Sequence, residues 1–342
     1  MQASYRWLIG TALGLTIAGA IAVAHQDWLD SEQSQPAAGQ YALAGDASQA
    51  LTPIPLDTGQ NPQKVALGEQ LFHEGRLSAD QRVSCAHCHN LRQGGVDHLP
   101  RSIGSNGKEG GINAPTVFNA GFNFRQFWDG RVASLEEQVS GPLQNPVEMA
   151  SSWPAAIAML QQDAGYQRAF GALYPDRITP ANVRDAIATF ERSLSTPNAR
   201  FDQFLRGKQS VLSAAEQAGY RLFKQIGCIS CHQGVNIGGN MYQKLGIMED
   251  YYSPSTAVAS TALGRFSQTR REDDRHVYKV PSLRNVALTA PYLHDASAAT
   301  LEEAVRIMAR YQLGRQLTAP EIDSIVVFLR TLTGQYQGQT LQ

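Results

Sequence analysis

"VSCAHCHN", residues 83–90, sets two cysteines and two histidines within five positions, Cys85 to His89. Three chemistries use such a cluster: a zinc site, a disulfide, or a covalent bond from each sulfur to a prosthetic group. The 342-residue chain has only two further cysteines, and they stand in a second copy of the same pentapeptide, CISCH at 228–232. Zinc asks for paired cysteines with additional Cys or His at ligand spacing. Disulfides suit an exported protein, but a two-residue gap followed by His, twice over, is the attachment pattern of c-type haem. In that pattern Cys85 and Cys88, and again Cys228 and Cys231, add to the haem vinyl groups. His89 and His232 then each reach an iron as its fifth ligand. Two covalently bound haem c groups are expected.

The flanks repeat as well. LGEQLF (67–72) precedes the first motif and AGYRLF (218–223) the second. Gly68 lies 17 residues before Cys85 and Gly219 lies 9 before Cys228, so the first copy carries eight extra residues, near RLSADQRV. Ser213 with Glu216 forms a capping box that starts a helix toward the second motif. Thr300 with Glu303, and Thr318 with Glu321, are two more, each before an apolar-periodic run. Thr179-Pro180 opens a helix whose Val183, Ile187, Phe190 and Leu194 share one face. Strand-like alternation is scarce. The expected fold is mainly α: two tandem cytochrome c-like haem lobes with long loops, preceded by an N-terminal apolar segment and a linker.

The apolar segment is Trp7–Ala24, eighteen residues after Arg6. That is about the minimum to span a bilayer and slightly long for a signal-peptide core, while Ala22-Val23-Ala24 fits a cleavage site. Residues 1–24 thus read as a signal peptide or a membrane anchor, and either one exports the rest of the chain to the periplasm. Residues 25–52, rich in Ser, Gln, Ala and Gly, read as a flexible linker. The two haem domains are assigned to 53–205 and 206–342. With 29 basic and 30 acidic residues, the chain carries no basic footprint for nucleic acid and no acidic tail. The stretch 94–111 has six glycines but no Gly-Lys-Ser/Thr, so it is no phosphate loop and is expected to be mobile.

The sixth iron position needs a separate argument. Met308 falls on the inward stripe Leu301, Ala304, Val305, Met308, which by pattern alone reads as core packing. From about Pro53 to Gly334, however, the chain resembles the bacterial dihaem cytochrome c peroxidases. The resemblance rests on CAHCH, INAPTVFNAGFNFRQFWDGR, LEEQVSGPLQNPVEM, CISCH, VPSLRNVALTAPYLHD and AVRIMARYQLGRQLT, in the family's order and spacing. It implies that Met308 is the axial ligand opposite His232, in a high-potential haem that collects electrons. It implies that the His89 haem is peroxidatic, that Gln138 and Glu148 stand over it, and that Trp128 lies between the two haems. It implies an interdomain Ca2+ held by Asn113 and the backbone carbonyls of Thr289 and Pro291, oxygen ligands that a hard cation prefers. The expected reaction reduces hydrogen peroxide to water with electrons from cytochrome c, a cupredoxin or quinol. Splitting peroxide means moving a proton from one oxygen to the other, which a carboxylate such as Glu148 can do and the amide of Gln138 cannot.

One position departs from the family pattern. The loop histidine that usually rests on the peroxidatic iron aligns with Ser105, whose hydroxyl is a poor ligand; His98 is the other imidazole in that loop. An open or water-bound first haem is therefore expected, with no prior half-reduction needed. This departure lends weight to one alternative, a related dihaem oxidase that modifies a partner protein, as the methylamine-utilisation enzymes do. A coordinatively saturated first haem with no reactivity toward peroxide would instead favour a non-enzymatic dihaem electron-transfer cytochrome. His73, His276 and His294 are expected to be structural or to bond haem propionates. A homodimer remains open.

Overall fold

The computed structural model describes residues 50–252 and 263–342; the expected leader Trp7–Ala24 and the linker up to residue 49 lie outside the described residues. Among the described residues no helix is long and apolar enough to cross a membrane.

The described residues begin on the second lobe. Leu51 is buried in that lobe's core. Helix α1 (Pro62–Phe72) opens with Pro62 in its first turn, where the missing N–H costs nothing. Asn61 Oδ1 caps it, accepting from Gln63 N at 2.9 Å and Lys64 N at 3.2 Å. The eight-residue insertion follows as a 3₁₀ turn, Gly75–Leu77, and a loop closed by Ser78, whose Oγ accepts from Val83 N at 3.0 Å. After the first haem motif come α2 (Trp153–Gln162), α3 (Ala164–Leu173) and α4 (Pro180–Ser193). Thr179 caps α4 as its sequence implies, and Val183, Ile187, Phe190 and Leu194 are all buried.

Helices α1 and α4 cross at Gly68. A Cβ there would sit 2.0 Å from the Ala186 carbonyl oxygen, so only glycine lets the two backbones approach. The second lobe repeats the device. Its helices are α5 (Ala214–Gln225), α6 (Leu301–Ile307) and α7 (Ala319–Arg330), and a Cβ at Gly219 would sit 2.0 Å from the Ser324 carbonyl oxygen. The repeat LGEQLF/AGYRLF is therefore the repeat of a helix crossing. All three expected capping boxes form. The periodic run after Thr300 is not one continuous α-helix, because a π-turn, Met308–Gln312, replaces its last part.

Each lobe has its own core. Leu67, Leu71, Phe170, Val183 and Ile187 fill the first; Phe201, Phe223, Ile325 and Phe328 fill the second. Each such side chain contributes about 1.5–3 kcal/mol by leaving water. The short helix Arg200–Leu205 lends Phe201 to the second core. A third cluster, Phe72, Phe118, Phe190 and Leu194, is covered by Tyr336 and Leu341 from the far end of the chain. Strand content is small: β1 (Tyr242–Lys244) pairs antiparallel with β2 (Val277–Lys279), and β3 (Gln335–Tyr336) with β4 (Gln339–Thr340).

Candidate active site

Each pentapeptide forms a short turn that lines an apolar cavity. The larger cavity, about 230 Å³, is lined by Cys228, His232 and Met308 together with Leu283, Leu301 and Ile325. The narrower one, about 60 Å³, is lined by Cys85, Cys88 and His89 and by Gln138, Glu148 and Glu191. The structure thus brings Met308 to His232, and both Gln138 and Glu148 to His89, across sequence gaps that no local pattern bridges.

The residues fit haem c. All four cysteines are unpaired. Burial pushes the thiols up, Cys85 and Cys228 to about 12 and Cys88 to about 11, so these sites disfavour the thiolates a zinc ion needs and suit uncharged thioethers. His89 Nδ1 lies 3.3 Å from the Gly95 carbonyl and His232 Nδ1 3.3 Å from that of Ile237. With Nδ1 held this way, Nε2 is the nitrogen left for a metal. Burial keeps both rings neutral, His232 down to about 4, the form that binds iron. Lys279 adds a charge argument. It lines the larger cavity, is buried, and has no ion-pair partner among the described residues; burial alone pushes it down to about 8. A haem propionate is the anion such an ammonium lacks.

Glu148 is positioned by its own turn. Asn145 Nδ2 donates to Glu148 Oε1 at 2.5 Å, and Glu148 N donates to the Asn145 carbonyl at 3.0 Å. Oε2 has no partner among the described residues. Burial raises the Glu148 pKa against the opposing Asn145 hydrogen bond and the Arg131 charge, which moves it toward the range where a carboxyl both takes and gives protons. Trp128 is elsewhere: it lines the larger cavity and donates from Nε1 to the Asn113 carbonyl at 2.9 Å. Val96 lines the same cavity, next to the Gly95 that holds His89.

Asn113, Thr289 and Pro291 all line the larger cavity. Asn113 Nδ2 donates to the Leu99 carbonyl at 3.0 Å, which fixes the amide and leaves its Oδ1 without a partner among the described residues. The 94–111 loop is more tied than its glycines suggest. Ile103 bridges Glu109, and Ser105 is 0% exposed, donating from N to the Glu148 carbonyl at 2.6 Å and from Oγ to the Met149 carbonyl at 3.1 Å. Ser105 does not line the narrower cavity. His98 turns the other way, with Nδ1 2.9 Å from the Ala290 carbonyl, and His87 Nε2 lies 3.0 Å from the Ile103 carbonyl. His73 is exposed, whereas His276 and His294 join a tyrosine cluster.

The residue missed by sequence reasoning is Glu191, a buried carboxyl in the narrower cavity. Its signal was present: it lies four residues past Ile187 on the inward side of α4.

Two Cys-x-x-Cys-His cavities on paired crossing helices define a c-type dihaem protein. A family model for di-haem cytochrome c peroxidase matches residues 62–210. The chain is 45% identical over 310 residues to the cytochrome c peroxidase of Escherichia coli K12, an alignment covering 90% of this chain and 66% of that protein. It is 44% identical over 297 residues to the cytochrome c551 peroxidase of Nitrosomonas europaea, covering 86% and 87%. Among solved structures, a MauG-like protein associated with microbial copper homeostasis superposes with a TM-score of 0.71 at 29% identity, over 85% of this chain and 95% of that one. The chain belongs to the di-haem cytochrome c peroxidase family.

Proposed function

We propose that this protein is a periplasmic dihaem peroxidase, an oxidoreductase that reduces hydrogen peroxide to water at the cavity shared by His89, Gln138 and Glu148. The observation that carries the reading is that shared cavity, since it sets a proton-moving carboxylate beside a haem attachment site. Cys85, Cys88 and His89 would hold one haem c and Cys228, Cys231, His232 and Met308 the other, groups that would supply the electrons for O–O cleavage. Glu148 takes a proton at Oε2 from one peroxide oxygen and returns it to the other, while Asn145 holds Oε1 still. The Gln138 amide donates to the peroxide and orients it. Trp128 serves as the aromatic bridge between the lobes, and its bond to Asn113 fixes the ring. The Asn113 amide and the Thr289 and Pro291 carbonyls would hold Ca2+, a role supported by their all lining the larger cavity and by the hard cation's preference for oxygen ligands. The donor is a cytochrome c, a cupredoxin or quinol; quinol gains weight if Trp7–Ala24 is retained as an anchor.

Glu148→Gln is expected to lower steady-state peroxide turnover by roughly 100-fold or more. Pyridine-haemochrome analysis should still give two haems per chain in that variant. Turnover near the wild-type rate removes Glu148 from the mechanism. Comparing reduced cytochrome c with quinol in the same assay identifies the donor.

A second reading, oxidation of a partner protein, is supported by Ser105. With no imidazole at that position and His98 bonded to Ala290, the first haem is expected to keep an open or water-bound face. The electron paramagnetic resonance spectrum of the fully oxidised protein should then show a substantial high-spin ferric signal. Two purely low-spin haems, with activity only after half-reduction, contradict it.

A further inference from the structure

The wall of the larger cavity continues outward as a chain of aromatic rings. Trp128, Tyr278 and His294 all line that cavity. Trp128 meets His294 edge to face at 6.2 Å, and the His294 and Tyr278 rings lie 4.4 Å apart. Two phenols converge on one nitrogen: Tyr252 OH is 2.9 Å and Tyr278 OH 3.1 Å from His294 Nε2, and the two hydroxyls are 2.8 Å from each other. Tyr252 then meets Tyr251 at 5.1 Å, and Tyr251 meets Tyr311 at 5.2 Å. Tyr278 and His294 are buried, whereas Tyr251 and Tyr311 are partly exposed.

Ring packing with satisfied hydroxyls would be the ordinary account of such a cluster. It does not explain why two phenols aim at the same imidazole nitrogen. A phenol gives up an electron readily only if its proton leaves at the same time, and a neutral imidazole in hydrogen-bond contact is the group that receives it. Burial raises the pKa of both phenols, so at rest they keep their protons.

We propose that Trp128, His294, Tyr278, Tyr252 and Tyr251 form an escape route that carries oxidising equivalents to the protein surface when peroxide arrives and no electron donor is bound. The route rests on the reading that peroxide is reduced here and that Trp128 takes part in electron transfer. Reducing one peroxide to two waters consumes two protons and two electrons, and without a donor the protein must supply those electrons. Trp128 loses one electron. Tyr252, with Tyr278 relaying, returns it to the indole; the phenol O–H bond breaks and the proton passes to His294 Nε2. Tyr251 next gives an electron to the Tyr252 phenoxyl, which takes its proton back from His294. The Tyr251 proton goes to Asp295 Oδ2, 3.1 Å away. A soluble one-electron reductant of the ene-diol or thiol class finally reduces Tyr251, and a second passage removes the second equivalent.

The test mixes holo-protein with one equivalent of hydrogen peroxide without donor, with and without ascorbate. Rapid-freeze electron paramagnetic resonance and peptide mass spectrometry follow tyrosine oxidation. A tyrosyl signal and oxidised or cross-linked Tyr251 are expected, suppressed by ascorbate and lowered about tenfold or more in Tyr252→Phe, while donor-supported turnover of that variant stays within about twofold of wild type. In Tyr251→Phe the product should move to Tyr252. Unchanged Tyr251 oxidation in Tyr252→Phe, or no tyrosine oxidation in protein that turns over peroxide, overturns the route and leaves the peroxidase reading standing. No turnover with any donor overturns both.

Discussion

Glu191 occupies a position where the sequence pattern asks for a hydrocarbon. It is 6% exposed, it lines the narrower cavity, and its Oε2 finds no hydrogen-bond partner among the described residues. Burial pushes its pKa up to about 8, against the nearby Arg192 charge. The folded carboxyl therefore holds its proton more tightly than the unfolded one, and folding stability must fall as pH climbs from the ordinary carboxylate range toward about 8. Glu191→Gln removes that loss. In chemical denaturation of the holo-protein, the gap between variant and wild type should widen in the variant's favour by up to about 1.4 kcal/mol per pH unit across this window. Parallel stability curves between pH 5 and 8 would mean the carboxyl titrates as an exposed one does. Residues of this kind divide sharply in legibility. The cysteines and histidines of the two motifs announce themselves by spacing. Glu148 and Gln138 stand out only through family resemblance, because their nearness to His89 is made by the fold, and Asn145, which steadies Glu148, reads as an ordinary turn residue.

At the scale of elements, what could be read was local. The capping boxes at Ser213, Thr300 and Thr318 close within four residues, so the sequence contains both partners and each forms. The helix after Thr179 was legible for the same reason. The glycine repeat was visible as a repeat, but its meaning was not. Gly68 and Gly219 matter because the Ala186 and Ser324 carbonyls, more than a hundred residues away, approach them. The anchoring of the loop at 94–111 was hidden in the same way. Glycine content measures the freedom of the unfolded chain, whereas Ser105 is fixed by backbone groups of Glu148 and Met149. The π-turn at Met308–Gln312 also escaped the 3.6-residue period. Such turns are frequent at functional positions, and this one begins at the methionine lining the larger cavity.

For the whole molecule, one buried ion pair ties distant parts of the chain together. Arg284 and Asp202 are both fully buried, with Nη1 and Oδ1 2.7 Å apart. Arg284 also donates to the Val235 carbonyl at 2.9 Å and the Thr52 carbonyl at 3.0 Å, and Asp202 accepts from Ile54 N at 3.3 Å. Asp202→Asn keeps the shape but leaves the guanidinium buried without a counter-charge, which should cost about 3–5 kcal/mol in denaturant unfolding of the holo-protein. A loss below about 1 kcal/mol would show that water reaches Arg284. Two further segments far apart in sequence cross between the lobes: Leu51 completes the second core, while Tyr336 and Leu341 roof Phe118 and Phe190 of the third cluster. A ribosome that has released residues 1–205 has delivered α1 and α4 and the first haem motif, yet neither of the residues that roof them. The first haem motif, early to be synthesised, thus waits for the last residues of the second lobe to bring Tyr336 and Leu341 over the aromatic cluster beside Cys85.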